Sequence, residues 1–225
     1  MSFLEQWLFA EPDVTLTDYG LTIECAFFTY LLHRTGSGSP LKSWFMFFFS
    51  SISIGALAGG TVHGFFPEKT TTGYAILWTI TLLAMGVTTL VLWAIGARIQ
   101  FSSTATRWIT AAAVTEFGFY CLMVVFVTQE FSVVIFNYVP AVAFLFIVIG
   151  VVYVRTQAPQ ALLGLGGLML SLVASWVQYS GFAVHPTYFN HNVFYHVLQA
   201  MALLLIFLSA RWFMEGGDNE KRRRC

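Results

Sequence analysis

Charge is scarce in this chain of 225 residues: 10% of its side chains are charged, against 57% that are hydrophobic and 17% aromatic. An ordinary soluble domain is about 25% charged, so that class is set aside. Cysteine is scarcer still. Cys25, Cys121 and Cys225 make neither a disulfide framework nor a C-x-x-C metal motif, and the first two read as packing residues. The lysines are Lys42, Lys69 and Lys221, none inside an apolar run, which leaves a retinal Schiff base nowhere to form. No G-x-S-x-G elbow supplies a serine nucleophile. The opening stretch "MSFLEQWLFAEPDVTLT" lacks the basic start and continuous apolar core of a cleaved signal peptide, so it is expected to be retained.

What the chain does have is apolar runs long enough to cross about 30 Å of hydrocarbon as helices. They fall near 18–34, 43–66, 73–97, 107–128, 131–154, 160–183 and 190–213. The expected fold is an all-α membrane protein, a seven-transmembrane-helix bundle over 18–213. An outer interfacial segment (1–17) precedes it, with Trp7, Leu8 and Phe9 along the interface, and a basic cytoplasmic tail (214–225) follows. Thr15 and Asp18 have capping-box spacing for the first helix. With seven spans, Arg34, Lys42, Arg98, Arg107, Arg155, Arg211, Lys221, Arg222, Arg223 and Arg224 share the C-terminal side, and only Lys69 lies opposite. Cytoplasmic loops hold the positive charge, which puts the N-terminus outside and the C-terminus in the cytoplasm. The small size and the absence of glycosylation motifs point to a prokaryotic inner membrane. Nothing in the sequence suggests nucleic acid.

Polar side chains inside a membrane are costly, so each is a candidate for function. In this topology they gather toward the outer leaflet: Asp18 and Glu24 in span one, His63 ending span two, Gln178 ending span six, then His185, His191, Asn192, His196 and Gln199, with Glu116 near mid-depth of span four. At 100° per residue, Asn192, His196 and Gln199 share a stripe about 60° wide, whereas His191 lies roughly 140° from His196. Either a helix start near Asn190 brings His191 round, or His191 caps the helix while His196 faces the interior. In span two, Gly55 with Gly59 and Ala56 with Gly60 have the small-xxx-small spacing that lets a helix approach closely, and "GLGG" (164–167) in span six reads as packing of the same kind.

These residues resemble the seven-span CREST superfamily of membrane hydrolases, which includes alkaline ceramidases and progestin/adiponectin-type receptors. "GGTVHGFF" (59–66) is similar to the second-span Ser-x-x-x-His motif, "NVFYHVLQ" (192–199) to the seventh-span His-x-x-x-His segment, and "TIECAFF" (22–28) to the acidic first-span element. The resemblance implies zinc held by His63 and His196, with His191 or His185 as third ligand, since catalytic zinc takes three protein ligands and an open position. Glu24 or Glu116 then serves as catalytic base or orienting partner, beside Asp18, Asn192 and Gln199. The metal-bound water would hydrolyse a lipid amide or ester. In this chain Gly59 stands at the motif serine, Asn192 at the first seventh-span histidine, and no aspartate occupies the early part of span three.

Other readings stand beside this one. His63 and His196 suit the axial positions of a haem in an electron-transfer protein, and equally suit structural hydrogen bonds. Asn192 and Gln199 suit interhelical glue. A non-catalytic lipid- or ligand-binding protein or accessory subunit is the third reading. Its partners would be membrane lipids and, through the small faces of spans two and six, a second copy or another membrane protein.

Overall fold

The computed structural model describes residues 9–185 and 189–223, without the side chains of 217–223. Trp7, Leu8, Arg224 and Cys225, and the side chains of Lys221, Arg222 and Arg223, therefore lie outside the described residues. The described residues form seven α-helices: α1 (Pro12–Arg34), α2 (Leu41–Phe65), α3 (Thr72–Gln100), α4 (Ser103–Phe126), α5 (Phe131–Thr156), α6 (Pro159–Ser180) and α7 (His191–Arg223). All but α1 are long and apolar enough to cross a membrane, as expected of a helical membrane protein.

The helix ends follow local chemistry. Thr71 and Ser102 cap α3 and α4 by accepting from the backbone N–H groups of Tyr74 and Ala105. Asn190 Oδ1 accepts from Val193 N–H at 3.1 Å, so Asn190, not His191, caps α7. Pro12 and Pro159 occupy the first turns of α1 and α6, where a missing N–H costs nothing. The Thr15/Asp18 capping box is corrected here: α1 already begins at Pro12, and the Thr15 hydroxyl donates back to the Glu11 carbonyl at 2.8 Å. At the other end of α1, Lys42 Nζ donates to the carbonyls of His33 and Thr35 at 3.0 and 2.6 Å. α5 and α6 end on left-handed residues, Gln157 (φ 52°) and Gly181 (φ 68°). α7 continues to Arg223, so the basic stretch extends the last helix.

Consecutive helices pack side by side from α1 to α4, α5 leans on α3 and α6, and α7 closes the bundle against α6, α1 and α2. Phe28, Phe49 and Phe207 join three of these helices, with Phe28 and Phe207 stacked at 4.3 Å. α4 stands outside this core and docks on α3, where the Tyr120 hydroxyl donates to the Leu82 carbonyl at 2.8 Å. The small residues of α2 and α6 are used within the chain. A Cβ on Gly60 would stand 2.8 Å from Asp18 Cβ, and one on Gly167 would stand 2.8 Å from the Ala202 carbonyl oxygen.

Candidate functional site

Six helices end around one cavity of about 110 Å³, at the end of the bundle where α1, α3, α5 and α7 begin. Each contributes from the same level: Asp18 from α1, His63 from α2, Trp78 from α3, Phe131 from α5, Gln178 from α6, and Asn192 and His196 from α7. Ile52, Gly55, Met85, Tyr138 and Gln199 line it deeper in the bundle.

The centre is a buried pair, with His196 Nε2 3.2 Å from Asp18 Oδ1. The neighbouring Thr17 fixes the ring. Its hydroxyl is within reach of the carbonyls of Asp13 and Val14, at 3.0 and 2.9 Å, and lies 2.9 Å from His196 Nδ1. The second carboxylate oxygen, Oδ2, faces the gap at Gly59, 3.6 Å from where a Cβ would stand. Gly59, at the motif serine of the resemblance, therefore leaves space beside Asp18.

At the rim, Glu11 Oε2 lies 2.8 Å from His63 Nδ1. Backbone bonds from Ala10 N–H to the Gly64 carbonyl (3.0 Å) and from Glu11 N–H to the His63 carbonyl (3.2 Å) fasten this segment to the end of α2. Phe9 packs edge-on against Phe65 at 5.4 Å. The hydrogen bond from His63 holds the Glu11 carboxyl below its ordinary range, and the charges of His63 and His191 act in the same direction.

Two further hydrogen-bonded groups complete the wall. The Tyr138 hydroxyl meets Ser171 Oγ at 3.0 Å, and Ser171 in turn donates to Gln199 Oε1 at 2.9 Å. Gln178 Nε2 donates to Asn192 Oδ1 at 2.9 Å, while Gln178 Oε1 is buried with no hydrogen-bond partner among the described residues.

The structure thus brings Asp18, His63, Asn192, His196 and Gln199 together. Other expected residues fall elsewhere. Glu24, six residues beyond Asp18, is turned about 120° away on α1 and does not line the cavity. Glu116 sits on the peripheral α4 with Oε2 buried and unpartnered. His191 opens α7 about 140° round the helix from His196 and does not line the cavity. His185 pairs through its backbone with Phe189 across the last connection. Among the described residues, no three of His, Cys, Asp and Glu are gathered closely enough to hold a metal ion. The three-histidine set is therefore not assembled in them: His63 Nδ1 is turned to Glu11, and both ring nitrogens of His196 are engaged.

Glu11, Thr17, Trp78, Phe131, Tyr138 and Tyr195 were not singled out in the sequence. The signal that was available is Thr17 beside Asp18 on a membrane helix, a polar pair next to an intramembrane carboxylate.

No curated protein matches the chain. Residues 14–215, which take in most of every helix, match a family of unknown function. The chain belongs to that family, DUF6962.

Proposed function

We propose that this is a seven-span membrane protein, N-terminus outside, that takes the polar group of a lipid or other small amphiphile into its outward-facing cavity. Ten of eleven basic residues on one side of the seven helices support the orientation. α1 counts as the seventh crossing because its outward residues Leu16, Ile23, Phe27 and Tyr30 are apolar or aromatic, while Asp18 is buried against α7. A prokaryotic inner membrane fits the composition.

One observation carries the binding reading. A buried Asp–His pair shares its cavity with Gln178, whose Oε1 is a buried acceptor with no donor among the described residues. Charged side chains within a membrane span are costly and mark functional sites, and replacing a buried ion pair by apolar residues is often stabilising. Such a set is therefore better understood as a site for a hydrogen-bond donor than as a stability device. The test is mass spectrometry of lipids co-purifying with the wild type and with Asp18→Ala. A species lost in the variant supports the reading, and identical lipid profiles remove it.

Hydrolysis of a lipid amide or ester is the second reading. What favours it is that His63 and His196, the two histidines matched by the CREST resemblance, line the same cavity as Asp18. Zinc and iron analysis of the purified protein, beside His196→Ala, tests it. Near-stoichiometric zinc lost in the variant supports it, and no metal in either protein rejects it.

A further inference from the structure

The aromatic rings around the cavity touch in series. His63 meets Trp78 at 6.3 Å, Trp78 meets Phe131 at 6.1 Å, Phe131 meets Tyr195 at 6.2 Å, and Tyr195 meets His196 at 5.2 Å. All five line the cavity, and the belt runs from α2 through α3 and α5 to α7. Asp18 of α1 closes it through His196.

The polar groups inside this belt are unbalanced. Among the described residues no lysine or arginine lines the cavity, and His63 is already paired with Glu11. Asp18 and Gln178 both line the cavity, with Asp18 Oδ2 beside Gly59 and Gln178 Oε1 without a hydrogen-bond partner among the described residues. The rings of Trp78, Phe131 and Tyr195 and a carboxylate together attract a cation: aromatic ring faces carry partial negative charge, and organic ammonium groups are bound by such cages. A neutral alcohol would satisfy Gln178 but gain little from the belt. At about 110 Å³ the space suits a headgroup, not a whole lipid.

We infer that the cavity selects an organic ammonium headgroup, held between Asp18 and the aromatic rings of Trp78, Phe131 and Tyr195. This rests on the amphiphile reading above and narrows it to one chemical class.

The experiment is calorimetric titration of the full chain in a non-ionic maltoside with dodecyltrimethylammonium, dodecanol and dodecyl sulfate, each below its micellar concentration. The ammonium probe is expected to bind saturably and at least about tenfold more tightly than the alcohol. That preference should collapse in Asp18→Asn, which keeps the shape of the side chain, and weaken in Phe131→Leu. If Asp18→Asn does not fold, Phe131→Leu and Tyr195→Leu carry the comparison. Equal binding of ammonium and alcohol overturns the inference and leaves the amphiphile reading standing. Tighter binding of the sulfate also overturns it, and binding of none of the probes overturns both.

Discussion

Gly59 and Gly60 are adjacent in α2, yet α1 treats them differently. A Cβ on Gly60 would stand 2.8 Å from Asp18 Cβ and 3.1 Å from the Tyr19 ring, whereas at Gly59 the nearest atoms would be 3.6 Å away. Asp18 Cβ is fixed by the backbone and cannot swing aside, so Gly60→Ala must push α1 from α2 at the candidate site. Overpacking of this kind costs roughly 1–3 kcal/mol. Gly60→Ala is expected to lower the unfolding midpoint in detergent, while Gly59→Ala leaves it nearly unchanged; equal midpoints would mean that α1 does not approach α2 this closely. The Glu11–His63 contact makes a pH-dependent prediction. A carboxyl whose folded value lies below its unfolded one stabilises the fold fully above the unfolded value, and that contribution fades as pH falls through the folded value. Glu11→Gln should therefore reduce stability at neutral pH, by roughly 0.2–1 kcal/mol for so exposed a pair. The gap to wild type should close as pH falls below the ordinary glutamate value of 4.5, as followed by thermal unfolding at stepped pH.

At the scale of elements, helix ends carry the information. Gly181 closes α6 at φ 68° with open space around it, so only backbone strain opposes a side chain there. Gly181→Ala is expected to cost roughly 1–2 kcal/mol, readable as a lower unfolding midpoint. The spans were legible because long apolar runs are bounded by glycine, proline and polar links, and the helices lie close to them. α1 was read as starting late because Thr15 and Asp18 imitate a capping box, while the helix begins where Glu11-Pro12-Asp13 places proline in the first turn and an acidic residue near the N-terminus. His63, Asn192, His196 and Gln199 were legible as a polar set on helix ends. Thr17 and the aromatic belt were not, because rings that meet across four helices leave no spacing in any one of them. The peripheral position of α4, which takes Glu116 away from the cavity, likewise depends on packing between helices.

For the molecule as a whole, the proposed orientation has a direct test. In a background with Cys25, Cys121 and Cys225 replaced, Lys69→Cys in the α2–α3 link should react with a membrane-impermeant thiol reagent on intact cells. Ser102→Cys, in the α3–α4 link, should react only after permeabilisation. The reverse pattern would place the cavity mouth toward the cytoplasm, and with it the source of any ligand. The amino-terminal segment adds a constraint of its own. Ala10 and Glu11 are stitched by their backbone to the end of α2, with Phe9 wedged against Phe65. Pulling on the chain ahead of Phe9 would load these contacts, so a bulky fusion at the amino terminus is expected to disturb the rim histidine, His63, to whose backbone carbonyl Glu11 is bound.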